Sequence, residues 1–132
     1  MTGVQTCALP ICARLADGRA WTRRAQIAAL YAELGHLTGS PVVELNRAIA
    51  VAETEGPEAG LRIVDDIGLA DFRYLHSTRA DLLRRLGRTH EAREAYRRAR
   101  SLTDDGAERR FLERRLAELG RASCRERVCL VV

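Results

Sequence analysis

The residues of this 132-residue chain with chemistry to offer are four cysteines, three histidines and one serine set beside a histidine. Cys7 and Cys12 are spaced Cys-x4-Cys, as are Cys124 and Cys129, and four thiolates suit a tetrahedral structural zinc. Structural zinc sites usually rest on tighter knuckle spacings with glycine and aromatic support, which neither pair has. Disulfides are the other use of such cysteines, and nothing here signals the oxidising compartment they need. His36, His76 and His90 stand apart: no two fall at i,i+3 or i,i+4, where one helix would present both to a metal. Ser77 lies between His76 and Asp81, the residue types of a nucleophilic triad. Near neighbours on one helix do not give nucleophile–base–orienter geometry, and no oxyanion-hole motif accompanies them. Gly56 and Gly60 lack the preceding strand and the Gly-Lys-Ser of a phosphate loop. The sequence therefore predicts a protein that is not an enzyme, with no catalytic, metal or cofactor site and no small-molecule substrate.

What the chain has instead is repetition. Tyr31, Val64 and Tyr96 recur at intervals of 33 and 32 residues, and Arg47-Ala48 recurs as Arg79-Ala80 after 32. Each unit reads as an apolar helix, a glycine-containing turn and a second helix. A period in the low thirties made of helix pairs predicts an α-solenoid, whose stacked hairpins share one core. Ile27, Leu30, Tyr31, Leu34 and Leu37 follow the i, i+3, i+4, i+7 pattern of a first helix, starting near Trp21 and ending at Gly39-Ser40-Pro41. Ser40 is a good N-cap and Pro41 a good first residue for a second helix, with Val42, Leu45, Ile49 and Ala52 on one face. A short third helix carries Leu61, Val64 and Ile67; a fourth runs from about Asp71 to Gly87. Thr89 caps a fifth with a stripe of Ala92, Tyr96, Ala99 and Leu102, and a sixth presents Phe111, Leu112, Leu116 and Leu119. The fold class predicted is all-α, about six helices in stacked antiparallel hairpins, with disordered or unpacked ends.

All 22 basic residues are arginine, and the net charge of +4 is unevenly spread. Residues 13–72 hold six Arg against nine acids, whereas residues 73–115 hold thirteen Arg against seven. Such segregation suits either an acidic or nucleic-acid partner or a solvated helix surface. Arg109, Arg110, Arg114 and Arg115 have no aromatic residues interleaved for base stacking, and Glu108, Glu113 and Glu118 break up the run. That favours the solvated surface.

The ends read differently from the middle. Met1–Ile11 (MTGVQTCALPI) and Gly120–Val128 (GRASCRERV) resemble peptides made when sequencing-adapter DNA is translated at contig ends. Residues 1–12 and 120–132 are thus expected to be non-native, flanking a helical domain at 13–119. No basic start precedes an apolar core as a secretory signal requires, and no run approaches a membrane span of about 18 apolar residues. A cytoplasmic protein with no membrane association is expected.

Arg73–Gly106 resembles a tetratricopeptide repeat: with Gly87 as the turn, Ala92, Tyr96 and Ala99 fill the small, aromatic and small positions of the second helix, and Ala80 the small position of the first. The signature Trp, Leu and Pro are replaced by His76, Arg79 and Asp104. From Trp21 to Leu119 the strings IAALYAEL, SPVVELNRAIAVA, GPEAGL, RADLLRRLGR, EAREAYRRA and AERRFLERRLAEL look like one module. It is the tetratricopeptide-like C-terminal extension of a group of extracytoplasmic-function RNA polymerase sigma factors. The resemblance implies a regulatory, protein-binding region whose partners are the sigma core domains or RNA polymerase. No polymerase-binding region or promoter-reading helix-turn-helix fits before Trp21, so this chain is expected to bind no DNA sequence specifically. The alternative is a free-standing helical-repeat adaptor for another protein. In either case Asn46, Arg47, Thr78 and Arg79, on the first helices of successive hairpins, are the candidate groove residues. The two arginines either face the groove or brace the interface between repeats.

Overall fold

The computed structural model of the chain describes the backbone of residues 10–131 and the side chains of residues 23–122. Six helices and no strand occur among the described residues: α1 (Pro10–Thr38), α2 (Pro41–Thr54), α3 (Pro57–Asp66), α4 (Arg73–Arg85), α5 (Thr89–Ser101) and α6 (Gly106–Val131). Each packs mainly on its neighbours in the chain, which is the all-α stack of hairpins that the repeat predicts. The outer helices run further than periodicity indicated. α1 begins at Pro10 rather than near Trp21, because proline at the first helical position loses nothing: its missing N–H would be unpaired there anyway. α6 continues past Gly120 to Val131, so both terminal segments, expected to be disordered or unpacked, include helical backbone. Cys7 falls outside the described residues, and the side chains of Cys12, Trp21, Cys124 and Cys129 do as well.

The turns are where glycine is required. Gly87 has φ +74°, and it closes α4 with a paired exchange: its N–H donates to the Arg84 carbonyl at 3.0 Å, and the Arg88 N–H reaches back to the Leu83 carbonyl at 3.0 Å. That double bond pattern satisfies carbonyls a helix end leaves bare, and only a residue tolerant of positive φ completes it. Two predicted caps differ in detail. Ser40 occupies the N-cap position of α2, yet its side chain makes no capping bond; its N–H instead donates to Thr38 Oγ1 at 3.3 Å. Thr89 is the first residue of α5, and its hydroxyl donates backward to the Gly87 carbonyl at 3.4 Å instead of accepting a helix N–H. The one side-chain cap seen is at α6, where Asp105 Oδ1 accepts the Ala107 N–H at 2.8 Å.

The core runs along the stack as one cluster. It takes Leu45, Ala48 and Ala52 from α2, Leu61 and Val64 from α3, Leu75, Ala80, Leu82 and Leu83 from α4, the Ala92–Tyr96–Ala99 stripe with Ala95 from α5, and Leu112 and Leu119 from α6. Small residues stand where helices cross. Gly60 is so close to α2 that a Cβ built there would lie 2.6 Å from Ala52 Cβ and 2.7 Å from the Ala48 carbonyl oxygen. Tyr96 fills the centre of the α4–α5 crossing at 1% exposure, as the repeat register requires. Charged pairs tie the helices at their edges: Asp65 to Arg79 at 2.7 Å, Glu53 to Arg85 at 2.9 Å, Asp71 to Arg98 at 3.1 Å and Glu113 to Arg100 at 2.9 Å. Each is solvent-accessible and worth about 0–1 kcal/mol, so they orient the stack more than they hold it.

Candidate protein-binding groove

The first helices of successive hairpins, α2, α4 and α6, line a shallow groove of about 250 Å³. Its floor is Ala52, Leu82 and the ring of Tyr96; its walls carry Ile49, Thr78 and Phe111. Ile49 and Phe111 are large apolar side chains left 43% and 42% exposed, which is what a partner-contacting wall looks like rather than a core. Charges frame it. Glu53 on α2 pairs with Arg85 on α4 at 2.9 Å and approaches Arg24 on α1 at 3.8 Å, and Asp81 pairs with Arg84 at 2.7 Å. The Arg115 guanidinium lies over the Phe111 ring, 5.2 Å from its centroid. A second hollow of about 220 Å³ between α1 and α2 shares Ile49 and Glu53 with the first and extends it toward Ile27 and Tyr31.

Of the four residues predicted for the groove, Thr78 lines it and Asn46 lines its α1–α2 extension. Arg47 and Arg79 point elsewhere. Successive helix residues are turned by about 100°, which carries Arg47 and Arg79 round toward α3 from the side that Asn46 and Thr78 face. Arg47 pairs with Glu44 on its own helix at 2.9 Å and borders a separate cleft of about 540 Å³ with Ile63 and Ile67 of the α3 end. Arg79 reaches Asp65 of α3, so it braces the junction between repeats. The residues that sequence reasoning passed over, Ile49, Glu53, Asp81, Arg85 and Phe111, carried a readable signal. Asn46, Thr78 and Phe111 are separated by the repeat period of 32 and 33 residues, and Ile49/Asp81 and Glu53/Arg85 are each 32 apart. The groove is the repeat register itself, read on one face.

The serine and histidine that the sequence sets side by side are not aimed at each other. His76 Nε2 lies 2.7 Å from the Ala70 carbonyl and Ser77 Oγ donates to the Tyr74 carbonyl at 3.1 Å, so the triad residues face backbone and not one another. Among the described residues no group of three or more His, Cys, Asp or Glu could hold a metal. Burial pushes the Tyr96 phenol above its ordinary pKa, with the nearby Asp81 charge adding to the rise and Arg84 opposing it. Among those residues, too, no helix is long and apolar enough to cross a membrane.

No protein-family profile matches the chain, and no solved structure matches it. A curated protein of Rhizobium meliloti (strain 1021), named only as uncharacterized, is 44% identical over 96 residues. That stretch is 71% of this chain and 23% of the relative, so the chain spans about a quarter of the length of the protein it matches.

Proposed function

We propose that this chain is the C-terminal regulatory, protein-binding region of an RNA polymerase sigma factor, and that it engages its partner through the α2–α4–α6 groove. The resemblance of Trp21–Leu119 to the sigma-factor extension supports the assignment. One observation carries the choice of groove: the repeat-equivalent residues Thr78 and Phe111 stand around one apolar floor, with Asn46 in its α1–α2 extension and Ile49 and Phe111 exposed on the walls. Shallow, open and flanked by paired charges, it fits a helix or extended segment of a protein better than a small molecule, which binds in enclosed pockets. The partner is the sigma core or RNA polymerase, in the cytoplasm. Burial of the two apolar side chains drives the contact, and the Glu53–Arg85 pair sets register at the rim.

The test uses an intact sigma factor carrying this extension. Ile49→Arg with Phe111→Arg places charge on the exposed walls and leaves the buried core alone. A promoter–reporter assay and a pull-down of the isolated region with its own sigma core and with polymerase are read together. Altered transcription with loss of binding supports the assignment. If the wild-type region binds neither protein and its deletion leaves the reporter unchanged, the sigma role fails, and a free-standing adaptor for another protein takes its place.

A further inference from the structure

The two ends of the stack are built differently. On α6, Arg109, Arg110, Glu113 and Arg114 are exposed, giving the last helix the polar outer side that ends a solenoid. On α1 one exposed stripe is apolar: Ile27, Leu30, Leu34 and Leu37 are 40%, 69%, 43% and 83% accessible, with Arg24, Gln26, Glu33 and His36 exposed beside it. By helical geometry these four lie within about 80° of one another, roughly a quarter-turn from the Tyr31 and Gly35 side that meets α2. Among the described residues α1 contributes no side chain to the core cluster.

The repeat register says what belongs on that stripe. Ile27, Leu30 and Leu34 are equivalent to Gly60, Ile63 and Ile67 on α3, and to Ala92, Ala95 and Ala99 on α5. On α3, Gly60 is pressed against Ala48 and Ala52 of the preceding helix. On α5, the three alanines are 0%, 4% and 1% exposed in a helix that packs on α4, the helix before it. This face is buried on α5 and, on α3, is pressed against the preceding helix at Gly60 with Ile63 and Ile67 half-buried against the core; on α1 it is bare. We infer that the Ile27–Leu37 stripe seats a helix of the longer polypeptide immediately upstream of α1, antiparallel to it, as α2 lies on α3 and α4 on α5.

Size argues for a tethered occupant. The stripe is eleven residues long, about 15 Å from end to end on a helix about 10 Å wide. That is far below the roughly 800 Å² per partner of a stable complex, so a second copy or a separate protein gains little from it. A helix joined to α1 by a short loop acts at an effective concentration of the order of millimolar and needs no larger area. The matched stretch is 23% of the relative, so most of that longer chain lies outside it. The inference is independent of which protein the groove binds.

Thiol labelling tests it. Leu30→Cys and Leu37→Cys are placed, with the native cysteines changed to serine, in the 132-residue chain and in one extended version. In that version, residues 1–12 are replaced by the roughly two helices' length preceding the matched stretch in the Rhizobium meliloti protein. A maleimide is expected to label both sites rapidly in the short chain and at least about tenfold more slowly in the extended one. Glu94→Cys, exposed on α5, labels alike in both. As a second measurement the full-length relative carries a cysteine at its position aligned with Leu37, and protection is expected there too. Equal rates in the short and extended chains, or labelling of the relative at the rate of an unfolded peptide, overturn the inference. Protection in the short chain that grows with its concentration also overturns it, assigning the stripe to a second copy.

Discussion

Three glycine-to-alanine changes, at Gly60, Gly35 and Gly120, separate close packing from helix propensity, because each glycine is helical and the surroundings differ: backbone at the first, a side-chain tip at the second and open space at the third. At Gly60 the new methyl would stand 2.6 Å from Ala52 Cβ, 2.7 Å from the Ala48 carbonyl oxygen and 3.2 Å from Ala52 Cα, where ordinary contact begins near 3.4 Å. Two of those atoms are backbone, so α3 must back away from α2 by roughly 0.8 Å, loosening Leu61 and Val64 in the core. Overpacking of this kind costs about 1–3 kcal/mol, and the gain in helix propensity returns about 1 kcal/mol. Backbone cannot turn aside as a side-chain tip can, which puts the cost in the upper part of that range, about 2–3 kcal/mol, and the net loss at about 1–2 kcal/mol. Gly35→Ala meets the carboxylate of Glu44, the far end of a side chain that can turn aside. What it forfeits is the accessible Glu44–Arg47 pair, about 0–1 kcal/mol, so the propensity gain leaves it near neutral. Gly120→Ala meets nothing within 4 Å and is expected to stabilise by up to about 1 kcal/mol. Urea unfolding followed by far-ultraviolet circular dichroism reads all three. With a slope of about 2 kcal/mol/M, Gly60→Ala lowers the midpoint by roughly 0.5–1 M while Gly120→Ala raises it. If Gly60→Ala proves as stabilising as Gly120→Ala, the α2–α3 approach is not the close crossing described.

Tyr96→Ala, at 1% exposure in the centre of the α4–α5 crossing, is expected to cost about 3–5 kcal/mol, and Ala92→Leu or Ala99→Leu about 1–3 kcal/mol by overpacking, all by the same unfolding assay. Because the Tyr96 pKa is raised on folding, its contribution is complete below the ordinary tyrosine value of 10.0. It is lost as pH rises beyond that value toward the folded one, since the unfolded chain ionises first; Tyr96→Phe removes this alkaline decline from a plot of stability against pH. The isolated chain is expected to show no promoter-specific DNA binding, and any binding to random duplex in a fluorescence-anisotropy titration should vanish between about 50 and 200 mM salt. Sequence-selective retention at the higher salt would contradict this.

Helix order and number were legible because glycine and proline punctuate the chain where the backbone demands them. Gly39, Gly56 and Gly87 all adopt positive φ, and Pro41 and Pro57 follow two of them as first helical residues. The α5 stripe was legible for a second reason, that Ala92, Tyr96 and Ala99 combine the helical period with the size pattern of a close crossing. Burial on α1 was not. Leu30, Leu34 and Leu37 have the same period as a buried stripe, and period reports which side of a helix is apolar, never whether something covers it. The groove was legible in part: Thr78 and Asn46 fall on it and its extension, and Arg79 takes the bracing role that was one of its two alternatives, while the remaining lining residues follow the three, four and seven spacing of a helix face. Reading Asn46, Ile49 and Glu53 against Thr78, Asp81 and Arg85 would have found it.

The uneven charge along the chain resolves in the same register. In sequence, acids gather before residue 72 and arginines after it, which reads as one half seeking a polyanion. In the fold, Glu53, Asp65 and Asp71 of the acidic part are the partners of Arg85, Arg79 and Arg98 of the basic part. The segregation is therefore complementary across the stack: each hairpin presents to the next the charge it needs. Arg73 does the same within the basic half, reaching Glu108 at 3.3 Å and Thr103 at 3.3 Å to close α4 onto the start of α6. Weak pairs of this kind add little stability singly, but like charges in a slipped register would repel, so the pattern discriminates the correct stacking from its neighbours. An arginine already committed to a carboxylate on the adjoining helix is poorly placed to neutralise a phosphate as well. The arginines of the basic half that pair in this way are thus explained by the alignment of repeats rather than by nucleic acid.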